Sequence, residues 1–126
     1  NGFAKIGTGL TESSGQFSFP ETGLYLIEFN GQFTRHAAGG VRYVEHYIYV
    51  SFNSGNNYQQ AARGRGTTSA IYYVGNNHTS HLFNVTNAST HRFYIYEYSY
   101  NGTVISLGSS NVIQTHVMVT RLGDAI

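Results

Sequence analysis

The sequence contains no cysteine, so the fold stands without disulfides and without thiolate metal ligands. That leaves the compartment open, because a cysteine-free chain suits a reducing cytoplasm and export alike. Tryptophan is missing too, and proline occurs once, at Pro20. Charge is scarce: Asp, Glu, Lys and Arg make up 10% of the 126 residues, against roughly 25% in an average soluble protein. A net charge of +1 generates no field able to steer nucleic acid or an anionic membrane, so neither is expected as a partner. No apolar run approaches the ~18 residues that would cross a bilayer, and no membrane insertion is expected. The start, Asn1-Gly2-Phe3, has neither an initiator Met nor the basic-then-apolar pattern of a signal peptide. Residues 1–126 are therefore expected to form a single domain that is part of a longer chain.

What the chain does have is aromatic and β-branched sequence, with eleven Tyr and eight Phe, punctuated by Gly, Asn and Ser. Phe17 to Phe19 and Leu24 to Phe33 flank the turn-like Pro20-Glu21-Thr22-Gly23. Val41 to Phe52 is the longest strand candidate and ends in the Asn53-Ser54-Gly55-Asn56-Asn57 cluster. Three shorter strands are predicted at Tyr58 to Ala62, Ser69 to Val74 and His81 to Val85. Arg63-Gly64-Arg65-Gly66 and Gly75-Asn76-Asn77 are read as the loops between them. His91 to Tyr100 is followed by the hairpin dipeptide Asn101-Gly102 and by Thr103 to Leu107 running back beside it. Val112 to Leu122 closes the chain. Eight to ten strands with no linker predict an all-β, two-sheet antiparallel sandwich or barrel.

Two strands are apolar on both faces. Period-2 reading of Val41 to Phe52 puts Val44, His46, Ile48, Val50 and Phe52 on one side and Tyr43, Glu45, Tyr47 and Tyr49 on the other. His91 to Tyr100 opposes Phe93 and Ile95 to Tyr94, Tyr96, Tyr98 and Tyr100. A sandwich strand normally turns one face to water, so a tyrosine outer face needs a cover. A buried Tyr can hide ~150 Å² or more, and seven would hide roughly 1,000 Å². That exceeds the usual largest patch on a monomer, ~300 to 600 Å², and matches the ~800 Å² that each partner gives to a standard interface. Tyr43, Tyr47, Tyr49, Tyr94, Tyr96, Tyr98 and Tyr100 are therefore expected at a subunit contact.

The segment Gly15-Gln16-Phe17-Ser18-Phe19-Pro20-Glu21-Thr22-Gly23-Leu24-Tyr25-Leu26-Ile27-Glu28-Phe29-Asn30 resembles the signature of C1q-type heads, in which Gly-x-Phe-x-x-Pro-x-x-Gly-x-Tyr leads into an alternating strand. The matching residues are Gly15, Phe17, Pro20, Gly23, Tyr25 and Phe29, and the closing strand is similar to that family's last one. The resemblance, to C1q and tumour-necrosis-factor-like heads, implies a jelly roll that works as a homotrimer. In such heads the inner sheet holds the first, third, sixth and last strands, and its outward face packs around the threefold axis. Taking Val41 to Phe52 and His91 to Tyr100 as the third and sixth strands puts both tyrosine ladders on that sheet. Several relatives bind calcium through carboxylates. Here Asp124 is the only Asp and the five Glu are scattered, so neither a calcium site nor any other metal or cofactor is expected.

Catalysis is not expected, because no nucleophile motif accompanies the histidines. His78 and His81 are close but have no third ligand nearby. His46, Glu97 and His116 are expected to meet as a buried polar cluster; a pocket open to solvent around them would instead signal an enzyme. Ligand contacts are assigned to loops: Arg35 and His36, Asn56 and Asn57, Arg63 and Arg65, and Asn76, Asn77 and His78. The expected function is a trimeric virion-surface structural or receptor-binding module, a phage head decoration or fibre tip. Its partners would be capsid or fibre proteins or a cell-surface glycan. The alternative is a secreted, extracellular C1q-like protein that recognises carbohydrate or microbial surfaces.

Overall fold

The computed structural model describes residues 7–35, 43–68, 70–100, 104–109 and 111–126. Among them are nine strands and no helix: β1 (Thr11–Ser13), β2 (Gln16–Ser18), β3 (Gly23–Arg35), β4 (Val44–Ser51), β5 (Gln59–Gly66), β6 (Val74–Val85), β7 (Arg92–Ser99), β8 (Val104–Ser106) and β9 (His116–Gly123). They form two antiparallel sheets. One runs β1-β2-β7-β4-β5. In the other, β3 pairs with β6 on one side and with β9 and then β8 along its other side.

β3 shows why the sheets stack. Every odd residue from Gly23 to Phe33 is buried and every even one is half-buried, which is the period of a strand with one core face. Tyr25, Ile27 and Phe29 point inward here, and Ile48, Val50 and Phe93 of the other sheet are also buried. Burying each such side chain contributes about 1.5–3 kcal/mol, and this draws the two faces together. A smaller cluster of Phe33 and Val44, with Val104 against it, closes one end.

The proline-containing segment is built into this core. Ser14 (φ 52°) and Gly15 (φ 77°) form the tight turn between β1 and β2, and the Gly15 amide donates to Glu12 Oε1 at 2.6 Å. Phe17 stacks on Phe93 with ring centroids 4.8 Å apart, and the Tyr25 hydroxyl donates to the Glu21 carbonyl at 3.0 Å.

Several sequence expectations are corrected. Arg63-Gly64-Arg65-Gly66 is the second half of β5, not a loop. Its glycines sit where β5 and β6 converge: a Cβ on Gly64 would lie 2.3 Å from the His78 carbonyl oxygen, and one on Gly66 2.4 Å from that of Asn76. Gly75-Asn76-Asn77 likewise lies inside β6. The chain instead turns at Ala70 to Tyr73, within the segment assigned to a strand, where Tyr72 has φ 62°. Ser69, His36 and the Asn101-Gly102 turn lie outside the described residues. β8 does not return beside β7; it pairs with β3, Phe33 opposite Ser106, and so carries Val104 to the small cluster.

The largest correction concerns the sheets. Both tyrosine strands, β4 and β7, lie in the sheet without the closing strand, whereas β9 pairs with β3. The short strands β1 and β2 precede β3, so the third place belongs to Gly23–Arg35 and the sixth to Val74–Val85. The tyrosine ladders and the last strand do not share a sheet.

Replacing Gly64 with Ala should lower the unfolding free energy by about 1–3 kcal/mol, because backbone must move to admit the methyl group. Gly108, where an added Cβ would meet nothing within 4 Å, should accept Ala with no such loss. Chemical denaturation of the two variants measures the difference.

Candidate functional site

β4 and β7 pair over eight residues, with Glu45 opposite Tyr98, Tyr47 opposite Tyr96 and Tyr49 opposite Tyr94. This register merges the two ladders into one aromatic surface on the outer face of the five-stranded sheet. Rings touch in an unbroken series: Tyr58 meets Tyr94 edge-on at 4.6 Å, Tyr94 stacks on Tyr49 at 5.0 Å, Tyr49 lies 5.8 Å from Tyr47, and Tyr47 lies 6.1 Å from Tyr96. Tyr43 and Tyr100 stack beside this series at 5.1 Å. Mutual packing half-buries most of the rings, but Tyr96 and Tyr98 remain 48% and 40% exposed.

Within this surface Glu45 is only 3% exposed. Arg65, opposite it on β5, donates from Nε (2.9 Å) and Nη2 (2.6 Å) to Oε1, Arg63 Nη1 lies 3.5 Å from the same oxygen, and the Tyr47 hydroxyl donates to Oε2. Burial pushes the Glu45 carboxyl up, but the Tyr47 and Arg65 hydrogen bonds outweigh it and hold the group below the usual carboxylate range. The Arg65 guanidinium also lies 4.1 Å over the Tyr43 ring. Both arginines, assigned to a ligand loop, thus belong to the tyrosine face, and their side chains are about half exposed.

On the inner side of the same strands His46, 1% exposed, fills the space left by Gly31 and packs on Phe29 at 4.7 Å. The Asn77 amide nitrogen donates to the Val44 carbonyl at 3.2 Å, which turns its Oδ1 toward His46. Nδ1 of His46, 2.6 Å away, therefore carries a hydrogen and donates. Nε2 faces Glu97 Oε2 at 2.7 Å, and two bare acceptors do not meet at that distance, so a proton lies between them. Ser106 Oγ donates to the same carboxylate oxygen. The His46 hydrogen bond, against the opposing effect of burial, holds Glu97 below the usual carboxylate range.

Of the expected cluster, His46 and Glu97 meet but His116 does not. It sits opposite Asn30 on the outer face of β3 and β9, where Asn30 Nδ2 donates to its Nε2 at 3.3 Å. The third member is Asn77, placed in a loop by the sequence pattern and buried in β6 by the structure. The expected ligand loops do not form one patch. Arg35 ends β3 beside the Tyr72 turn, Asn56 and Asn57 cap the opposite end of the sandwich in a turn organised by Asn53, and Asn76 and His78 face outward from β6.

Two surface depressions, of about 180 Å³ beside Phe52 and Tyr58 and about 340 Å³ beside Gln16 and Tyr94, include none of His46, Glu97 or His116. Among the described residues no group of three His, Asp or Glu could hold a metal ion, and no helix is long and apolar enough to cross a membrane. No family model matches the chain, and comparison with curated proteins and with solved structures finds no match either.

A carboxylate whose folded pKa is depressed stabilises the fold above its unfolded value, about 4.3 for Glu, and loses that contribution as pH falls through the lower folded value. Thermal melts should therefore show stability declining below about pH 4.5, and Glu97→Gln should flatten part of that acid limb. His46→Ala should cost about 2–4 kcal/mol at neutral pH by opening a cavity and leaving Asn77 and Glu97 without their partner, which denaturant titration would measure.

Proposed function

We propose that the chain is a jelly-roll head that assembles as a homotrimer and serves as a virion-surface module, a head decoration or fibre tip that meets a receptor. The observation that carries this reading is the gathering of the third, sixth and last strands in one sheet, three of the four that the C1q and tumour-necrosis-factor resemblance leads one to expect of an inner sheet; the first, β1, pairs with β2 in the other sheet. A cysteine-free, charge-poor composition rich in Asn, Ser, Thr and Gly suits a compact particle-borne head.

The same topology moves the subunit contact. In this reading the outward face of β6-β3-β9 packs about the threefold axis. Leu26 lies opposite Leu82 on β6, and Met118 lies opposite Glu28 one step along β3. Leu24 and Leu122 extend the patch at one end, and Leu82, Met118 and Leu122 are each about half exposed. Covering half of a leucine or methionine contributes about 1 kcal/mol, so this face gains several kcal/mol per subunit when copies meet. Beyond it the His78–Asn30–His116 row offers a polar register, with His78 Nδ1 donating to Asn30 Oδ1 at 3.0 Å.

Light scattering should give the mass of three chains. Leu82→Glu combined with Met118→Glu should reduce it to one by burying unpaired charge, while Tyr96→Glu combined with Tyr98→Glu should leave it unchanged. The converse pattern would return the contact to the tyrosine face, and a wild type that stays monomeric at high concentration would end the assembly reading.

A further inference from the structure

If the leucine face meets other copies, the tyrosine face of β4, β7 and β5 points away from the assembly and needs its own explanation. Its chemistry is specific. The rings of Tyr47, Tyr49, Tyr94 and Tyr96 are braced by one another, so this part of the surface has little conformational entropy left to lose. Phenol hydroxyls add donors and acceptors around that surface. The only carboxylate among these residues, Glu45, is buried, with Arg65 on one oxygen and Tyr47 on the other, so the charge the face shows to solvent is that of the half-exposed Arg63 and Arg65. Arg92, on the same side of β7 as the tyrosines and close to Tyr58, is engaged by the carbonyls of Ala88, Ser89 and His91, so the face has no continuous cationic strip to track a nucleic-acid backbone.

From this we infer that the outer face of the five-stranded sheet is a binding platform for a carboxylate-bearing glycan. Pyranose rings would lie with their C–H faces on Tyr96 and Tyr98, the two most exposed rings of the β7 ladder, and the sugar carboxylate would meet Arg63 and Arg65. The charges are complementary: planar guanidinium groups match a carboxylate in geometry as well as sign, and aromatic faces favour the polarised C–H groups of a sugar. This deepens the receptor-binding reading by naming the class of receptor, and it rests on the tyrosines being free of the subunit contact.

The experiment is an array of sialylated and uronate-containing oligosaccharides, each beside its neutral counterpart, probed with the intact protein and followed by calorimetry on the best binder. The acidic members should be retained about tenfold more tightly than their neutral partners, the difference one charge-assisted contact supplies. Sialylated and uronate arms separate the two sources of carboxylate. Tyr98→Ala, at a residue half out of the sheet, should abolish retention of both, and Arg63→Gln should remove the preference for acid while keeping weak binding. Light scattering on the same variants should still give the trimer mass. Absence of any retained acidic oligosaccharide overturns the inference, as does unchanged binding by both variants. Dissociation of the trimer by Tyr98→Ala also overturns it, by assigning this face to other copies. Loss of the trimer in the leucine variants, with glycan retention intact but weaker through lost avidity, separates the two readings.

Discussion

The register between β4 and β7 governs both faces of the larger sheet. Eight consecutive cross-strand pairs put Ile48 beside Ile95 and Val50 beside Phe93 in the core, and with the same step align Tyr47 with Tyr96 and Tyr49 with Tyr94 outside. They also bring His46 beside Glu97. Side chains alternate with a period of two, so a slip of one residue would send the tyrosines inward and the isoleucines to solvent. Packing energy therefore selects one register, and the polar contacts are carried along with it.

Two carboxylates of the larger sheet are held by named partners. Glu45 and Glu97 lie on opposite faces of the same sheet, each held below the usual carboxylate range by its hydrogen bonds, with Tyr47 and Arg65 outside and with His46 inside. A carboxylate withdrawn from water without such partners would cost several kcal/mol, so each glutamate fixes the strands that supply its partner. Glu45 ties β4 to edge strand β5, and Glu97 ties β7 to β4 and, through Ser106, to β8 of the other sheet. The polar groups thereby specify which strands are neighbours, while aromatic and aliphatic burial supplies most of the stability.

The two outward faces of the sandwich differ in kind. On β6 and β9 the exposed apolar groups are Val74, Leu82, Met118 and Leu122, aliphatic side chains and a thioether that gain chiefly by leaving water. On the other sheet they are Tyr96 and Tyr98 of β7, beside the stacked pair Tyr49 and Tyr94 and edged by the arginines of β5.

Local pattern made much of this legible. Alternation at Leu24 to Phe33, Val41 to Phe52 and His91 to Tyr100 announced the three longest runs of apolar side chains, the inward place of His46 and Glu97, and the all-β class, because a strand's period is written in consecutive residues. Glycine and asparagine misled: Gly64, Gly66 and Asn77 read as loop residues, yet the first two admit a neighbouring backbone and the third reaches a histidine 31 positions away. Their meaning depends on distant chain. The sequence by itself determined which residues share a face along each strand. Only the tertiary structure decided which strands share a sheet, and hence that the tyrosines lie across the sandwich from β9 and that His116 lies apart from His46. Pairing is set by long-range burial and backbone fit, and these leave no local period to read.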